Sequence, residues 1–376
     1  MNFDQLTAYL DRLYQENLPG CDMLVYKDHQ VVYRHFSGHR DENGKEPMQG
    51  NEIFSIYSCT KLLTTCAAMQ LLEQGKIFLD DPVSDYLPAY AHLTVKDGDS
   101  VRPAQKVMTV RHLMSMQSGL NYNLQAAPLQ KLIARNPMAT TREITEALAE
   151  GPLEFDPGTN YLYSLSHDVL AAVIEVASGE KFSDYLKAHI FDPLGLKEIA
   201  FDCTEDMRSR LCAKFVYHAE TDSISPTPAE KIAYRLSPNH ESGGAGLYSS
   251  LTDYALFLDA IACGGVGYTG ARILSPEMIQ LWRSNQLGPV SRKSYEVDSK
   301  IGYSYALGVR CRMDEGKNVK TSSEEFGWGG AAGAHAVIDT KHRMSFFFAP
   351  HVLGRQRTSL EVQPELRRLV YEAMEL

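Results

Sequence analysis

The run Leu62-Leu63-Thr64-Thr65-Cys66-Ala67-Ala68-Met69-Gln70-Leu71-Leu72 is apolar or small on nearly every face of a helix. A helix of that kind has no side to give to water, so the rest of the chain must wrap layers around it. Ser58-Cys59-Thr60-Lys61 stands at its head. Positions i and i+3 share one helix face, which brings the Lys61 amine to the Ser58 hydroxyl if the helix begins here. Free backbone N–H groups and the positive dipole end at a helix start favour an alkoxide or a developing oxyanion. Ser58 therefore reads as a nucleophile with a built-in base, and on local physics equally as a plain N-cap serine.

Ser-x-x-Lys occurs a second time, at Ser178-Gly179-Glu180-Lys181. There the serine ends the helical run 168–177, and Gly179 is expected as a left-handed C-cap. A helix stop has no oriented donors to offer an oxyanion.

At 376 residues the chain is long enough for two lobes or one large domain with insertions. A formal charge of −10 and the lack of a basic stripe argue against a nucleic-acid partner. The N-terminal residues 1–13 have an amphipathic helical period, with no basic patch and apolar core of a secretion signal. No stretch approaches eighteen apolar residues, so no membrane span is expected. Seven cysteines without a Cys-x-x-Cys pair fit reduced thiols, and a cytoplasmic location is the expectation. Cys59 lies off the Lys61 face and is expected to pack. No His-Glu-x-x-His, Cys/His cluster or phosphate-binding loop is present, so neither a metal nor a cofactor is expected.

Residues 23–34 read as a β-hairpin around Lys27-Asp28-His29-Gln30, and 305–312, 335–339 and 344–349 read as antiparallel strands. Helices are expected over 62–75, 109–116, 141–150, 168–178, 182–190, 252–262, 275–284 and 364–374, with loops at 121–137 and 286–300. Strands at both ends and helices between them imply an α+β fold in which both termini build one sheet. The expected division is an α/β lobe from 1–80 and 245–376, and a mostly helical lobe from 81–244, with the active site in the cleft between.

A serine–lysine pair works through a neutral lysine, which costs roughly 4 kcal/mol of environment, and through a relay to the leaving group. Tyr163, on the loop entering the 168–178 helix, could supply that relay, although on its own a tyrosine before a helix reads as a packing residue. Phe326-Gly327-Trp328-Gly329-Gly330-Ala331-Ala332-Gly333-Ala334-His335 lets backbone approach a ligand closely, as an oxyanion hole requires. The same residues also suit a glycine-rich bulge. His335 reads as a strand histidine or a pocket residue. His167 and Asp168 read as helix-start polar groups, and His240 and Glu241 precede the Gly243-Gly244 turn.

In this order the pieces resemble the serine β-lactamase and penicillin-binding-protein superfamily, closest to the class C β-lactamase-like esterases known as family VIII carboxylesterases. The resemblance runs through Ser58-Cys59-Thr60-Lys61, Leu79-Asp80-Asp81-Pro82-Val83, 113–120, Pro157-Gly158-Thr159 with Tyr163-Ser164, Pro193-Leu194-Gly195-Leu196, 242–247 and Gly327-Trp328-Gly329-Gly330. It implies a β-lactamase/transpeptidase-like fold and an acyl-enzyme on Ser58, with Lys61 and Tyr163 shuttling its proton. It also implies an oxyanion hole from the backbone N–H groups of Ser58 and Ala331.

Two departures stand out. Leu165 occupies the position of the family's second-motif asparagine, and Trp328-Gly329-Gly330 replaces its Lys-Thr-Gly triplet. A lactam carboxylate wants a cation, whereas Trp328 offers an apolar wall suited to a neutral acyl or alcohol group. Trp328, Gly329, Gly330, Leu165 and His335 are the expected substrate-binding residues. The expected activity is hydrolysis of small carboxylic esters. Acyl transfer, D-amino-acid amidase or peptidase action, weak lactam opening and a non-enzymatic ligand-binding module stand as alternatives.

Overall fold

The computed structural model describes residues 1–16, 18–228, 234–296, 302–313 and 321–376. Its main elements in chain order are α1 (Asp4–Gln15), β1 (Gly20–Lys27), β2 (Gln30–Gly38), α2 (Thr60–Glu73), α3 (Ser166–Ser178) and α4 (Leu251–Ala262). After these come β3 (Tyr303–Tyr305), β4 (Arg310–Arg312), β5 (Glu325–Gly329), β6 (His335–Asp339), β7 (Met344–Pro350) and α5 (Gln363–Met374). The seven strands form one antiparallel sheet in the order β3-β4-β5-β6-β7-β1-β2. Both chain ends thus meet in it, with β1 paired to β7.

Period-2 alternation decides what covers each face. Met23, Val25, Val337, Phe346 and Phe348 pack with Leu6, Leu10, Leu366 and Val370 of α1 and α5. Leu24, Tyr26, Ala336, Ile338, Phe347 and Ala349 point the other way, into a core shared with α2, α3 and α4. Residues Thr60 to Leu71 of α2 are all buried, as a helix with no polar face must be. Each fully buried Leu, Ile or Phe contributes ~1.5–3 kcal/mol, so this second layer carries most of the stabilisation.

Several local expectations change. Residues 305–312 form no single strand: β3 and β4 are separate, joined through a turn closed by Ala306 N–H on Val309 O at 2.8 Å. Gly308 makes that turn with φ +78°, and a Cβ there would stand 2.2 Å from Thr65 Oγ1 on α2. The 121–137 segment contains a helix, Ala127–Arg135, and the described part of 286–300 contains another, Pro289–Tyr295; residues 297–300 lie outside the described residues. Helix 182–190 is α-helical only over Phe182–Leu186 and then widens into a π turn, Lys187–Phe191. Two unexpected hairpins, Thr94–Asp97 with Ser100–Pro103 and Lys214–His218 with Ser223–Thr227, interrupt the helical segment.

All seven cysteines are free thiols. One His-Asp-Cys group sits at the β1–β2 turn, where Asp259 accepts from the His29 N–H at 3.2 Å and pairs with its Nδ1 at 2.7 Å. Cys263 Sγ donates to the same carboxylate at 3.6 Å, so these groups satisfy one another and clamp the hairpin to α4. No helix of the described residues is long and apolar enough to cross a membrane.

His351, just after β7, is 3 % exposed. Its Nδ1 faces the carbonyls of Cys212 and Ala213 at 3.1 and 3.0 Å. Burial pushes its imidazole down to about 4 from 6.5, with Lys214 adding to the depression and the two carbonyls opposing it. Above pH 6.5 the ring is neutral in both states. As pH falls toward 4 the unfolded chain takes up a proton that the folded chain refuses, and about 3 kcal/mol of stability is lost. The urea midpoint is therefore expected to drop between pH 7 and 4.5, and less steeply in His351→Phe. Equal slopes would remove His351 as the cause.

Candidate active site

Ser58 lies in a 3₁₀ turn, Tyr57–Cys59, ahead of α2 rather than inside it. Tyr57 enters that turn with φ +46°, a left-handed conformation that a bulky aromatic residue adopts only when its surroundings impose it. Those surroundings are dense. Tyr57 is 2 % exposed, with its ring edge-on to Tyr234 at 6.0 Å. The Ile56 N–H is held by Leu247 O at 3.1 Å, and the Tyr254 hydroxyl donates to Cys59 O at 2.7 Å. The chain is bent sharply immediately before the serine and locked there.

Lys61, on the first turn of α2, is fully buried. Its Nζ donates to Ser58 Oγ at 3.4 Å, to Gly244 O at 2.7 Å and to Tyr122 Oη at 3.5 Å. The amine also sits 4.6 Å from the centroid of the Tyr163 ring and 5.6 Å from that of Tyr122. Gly244 explains why the 243–246 turn must be small. A Cβ there would stand 2.7 Å from Asp168 Oδ2 and 3.4 Å from both Lys61 Nζ and Tyr122 Oη. Asp168 in turn faces His240 Nε2 at 3.3 Å.

Tyr163 meets Lys61 with its ring face, while its hydroxyl accepts from Trp328 Nε1 at 3.2 Å. Tyr122 stacks on Tyr163 at 5.6 Å with 22° between the ring planes. Burial pushes the Tyr122 phenol well above 10, and Tyr163, Asp168 and Tyr234 push in the same direction. Trp328 continues the aromatic wall, 5.6 Å from Tyr163 and 5.0 Å from Tyr305.

Ser58, Tyr163, Trp328, Gly329, Gly330 and Ala331 line one cavity of about 730 Å³. Ala331 lies on a tight turn closed by Gly330 N–H on Ala334 O at 2.8 Å and Gly333 N–H on Gly330 O at 2.9 Å. The arrangement sets a hydroxyl and two phenols at the wall of a cavity large enough for a small organic molecule, with a buried amine in hydrogen-bond reach of the hydroxyl.

Two expected pocket residues are corrected. His335 does not line the cavity: it shares a sheet face with Val337, turned toward α5, where it is 1 % exposed and its Nε2 accepts from Arg367. Leu165 is the N-cap position of α3, its side chain is 3 % exposed, and its N–H is held by Asn121 O at 3.2 Å. Ser178 ends α3 and Lys181 pairs with Glu241, so the second Ser-x-x-Lys is remote from the cavity lining. Tyr122, Arg310 and Arg367 are lining residues that the sequence did not single out. For Tyr122 the available signal was its place two residues beyond the Ser118-Gly119-Leu120 stretch that carries part of the resemblance.

Comparison with known proteins agrees with this architecture. A family model described as Beta-lactamase matches residues 3–361. Esterase EstB of Burkholderia gladioli is 30% identical over 281 residues, which span 68% of this chain and 69% of that protein. Acyltransferase calJ of Penicillium decumbens is 27% identical over 331 residues, 81% of this chain and 77% of that protein. The solved structure of EstCE1, described as a hydrolase with promiscuous acyltransferase activity, has a TM-score of 0.81 at 25% identity and covers 98% of each chain. A family model that spans nearly the full length, on a fold shared from end to end with EstCE1, places the chain in the beta-lactamase family.

Proposed function

We propose that the protein hydrolyses small carboxylic esters through an acyl-enzyme on Ser58. The observation that carries this reading is the contact of Ser58 Oγ with the buried Lys61 amine, 3.4 Å away, at the wall of the 730 Å³ cavity. Lys61 and Tyr163 take the Ser58 proton as Oγ attacks the ester carbonyl, and the same proton returns to the departing alcohol. The backbone N–H groups of Ser58 and Ala331 hold the oxyanion, each contributing on the order of 3 kcal/mol in the transition state. Water then attacks the acyl-enzyme, releasing the acid and restoring the serine. The two-lobe division belongs to the same reading. Ser58, Trp328 and Ala331 come from the 1–80 and 245–376 part, and Tyr122, Leu124, Tyr163 and Tyr234 from the 81–244 part.

Acyl transfer to an alcohol or amine is the second reading. It is favoured by the similarity to acyltransferase calJ and to EstCE1. The first step is common to both, so it is tested first. Intact mass after brief exposure to a fluorophosphonate is expected to show a single adduct, mapping to the peptide that contains Ser58. No adduct, or an adduct elsewhere, would overturn the Ser58 assignment. Product ratios with added alcohols then separate water from other acceptors. A chromogenic cephalosporin is expected to be opened at least about 10²-fold more slowly than a short ester, because Leu165 and Trp328-Gly329-Gly330 stand where the lactam-processing relatives carry an asparagine and a Lys-Thr-Gly triplet.

A further inference from the structure

The β1–β2 turn is made by two residues in left-handed backbone, Asp28 with φ +48° and His29 with φ +64°. Glycine or asparagine suits such a position, and a histidine stays there only when its side chain is held. Here the His29 N–H donates to Asp259 Oδ1 at 3.2 Å and the ring Nδ1 donates to Oδ2 at 2.7 Å. Asp259 is itself in an unfavourable place. Its side chain is 0 % exposed and stands in the last turn of α4, where the helix dipole disfavours a carboxylate. Four residues on, and so on the same helix face, the Cys263 Sγ lies 3.6 Å from Asp259 Oδ1.

An imidazole nitrogen, a carboxylate oxygen and a sulfur thus converge, all within 4.8 Å of one another. Among the described residues no other three His, Cys, Asp or Glu side chains do so. Donors bonded at about 2.0–2.3 Å to one tetrahedral ion stand roughly 3–4 Å apart, so a small closure of ring and thiol makes three corners of such a shell. The His29 side chain is 25 % exposed, which gives an ion a way in and leaves the fourth corner to water. Nitrogen, oxygen and sulfur donors together suit zinc, whereas magnesium and calcium take oxygen alone. Burial pushes the Cys263 thiol up to about 12 and Asp259 adds to the rise, while Arg343 and the His29 N–H pull the other way. Without an ion the thiol therefore keeps its proton. Arg343 is itself paired with Asp28.

We propose that His29, Asp259 and Cys263 bind one divalent cation of the zinc class, which fastens the β1–β2 hairpin to the end of α4. On binding, the His29 ring passes to its Nε2–H tautomer, freeing the Nδ1 lone pair, and the Cys263 proton leaves to solvent. A dication against one carboxylate and one thiolate makes a neutral site, at the helix end whose dipole favours a cation. None of the three residues lines the cavity that holds Ser58, so the ion is a structural clamp and does not depend on the ester reading. The chain shows no compact metal motif because His29 lies 230 positions from Asp259, and the Asp-x-x-x-Cys pair supplies only two of the ligands.

Cobalt(II) and zinc are the probes, added to the whole chain after an EDTA wash. Cobalt is expected to bind as one equivalent, tighter than about 10 μM, with a thiolate-to-cobalt charge-transfer band that zinc abolishes by displacement. Cys263→Ser is expected to lose the band and to weaken zinc at least tenfold, whereas Cys203→Ser, at the partly exposed thiol, changes neither. Excess zinc is expected to raise the urea midpoint of the wild type. Glycine suits the left-handed turn, so His29→Gly is expected to fold in EDTA yet to lose the zinc-dependent rise. A clamp made of hydrogen bonds alone would show no zinc dependence in any of these proteins. No saturable band in the wild type, or a band and a midpoint rise that survive in Cys263→Ser and His29→Gly, would overturn the proposal.

Discussion

Replacing Ser58 by alanine is expected to lower kcat/KM for a short p-nitrophenyl ester by about 10³-fold or more, leaving a stable, folded protein. The side chain is small and sits at the cavity wall, so its loss opens no void in the core. The environment of the hydroxyl is set by neighbours that the substitution does not touch: the positive φ of Tyr57, the Tyr254 bond to Cys59 O and the Leu247 bond to Ile56 N–H. Steady-state rates and a urea midpoint measured on the same preparation check both halves. Turnover within tenfold of wild type would remove Ser58 as the nucleophile. A collapsed midpoint would mean that the hydroxyl holds the 3₁₀ turn together, which makes it a structural serine.

How much of this could be read in advance depends on whether local pattern or tertiary placement decides. The buried helix α2 was legible because a run with no polar face has one solution, and the sheet from both termini was legible because β1, β6 and β7 alternate with period 2. The turn at 306–309 was not, because Tyr305 to Arg312 alternates well enough for a strand, and the break follows from Gly308 packing on Thr65 of α2. Ser58 and Lys61 are near neighbours in sequence, so their meeting was local and predictable. Tyr122 reaches Lys61 from 61 positions away, and only the folded chain reveals that contact. Arg367 was hidden for a different reason: an arginine on an amphipathic C-terminal helix reads as a solvated face, whereas here it lies under Tyr303 and against His335. His335 was misplaced because a one-residue alternation decides whether it faces the cavity or α5.

The proton path gives the other large expected effect. Lys61→Met removes the amine at 3.4 Å from Ser58 Oγ and is expected to cost about 10³-fold or more in kcat. In the proposed relay the two phenols around the amine have different parts. Tyr122, pushed well above 10 by burial, keeps its proton at neutral pH and steadies Lys61 through its hydroxyl. Tyr163 has the Trp328 indole N–H donating to its oxygen, which places a donor to stabilise negative charge there as a proton moves. Tyr163→Phe is therefore expected to cost about 10²- to 10⁴-fold in kcat, and Tyr122→Phe only about tenfold. Residues acting as one relay are strongly non-additive, so Lys61→Met combined with Tyr163→Phe should be little worse than the more damaging single change. Pre-steady-state bursts on the four variants would locate the loss in the acylation step. A larger loss in Tyr122→Phe than in Tyr163→Phe would reverse the two assignments, because the 3.5 Å contact from Lys61 to Tyr122 would then be the path the proton takes.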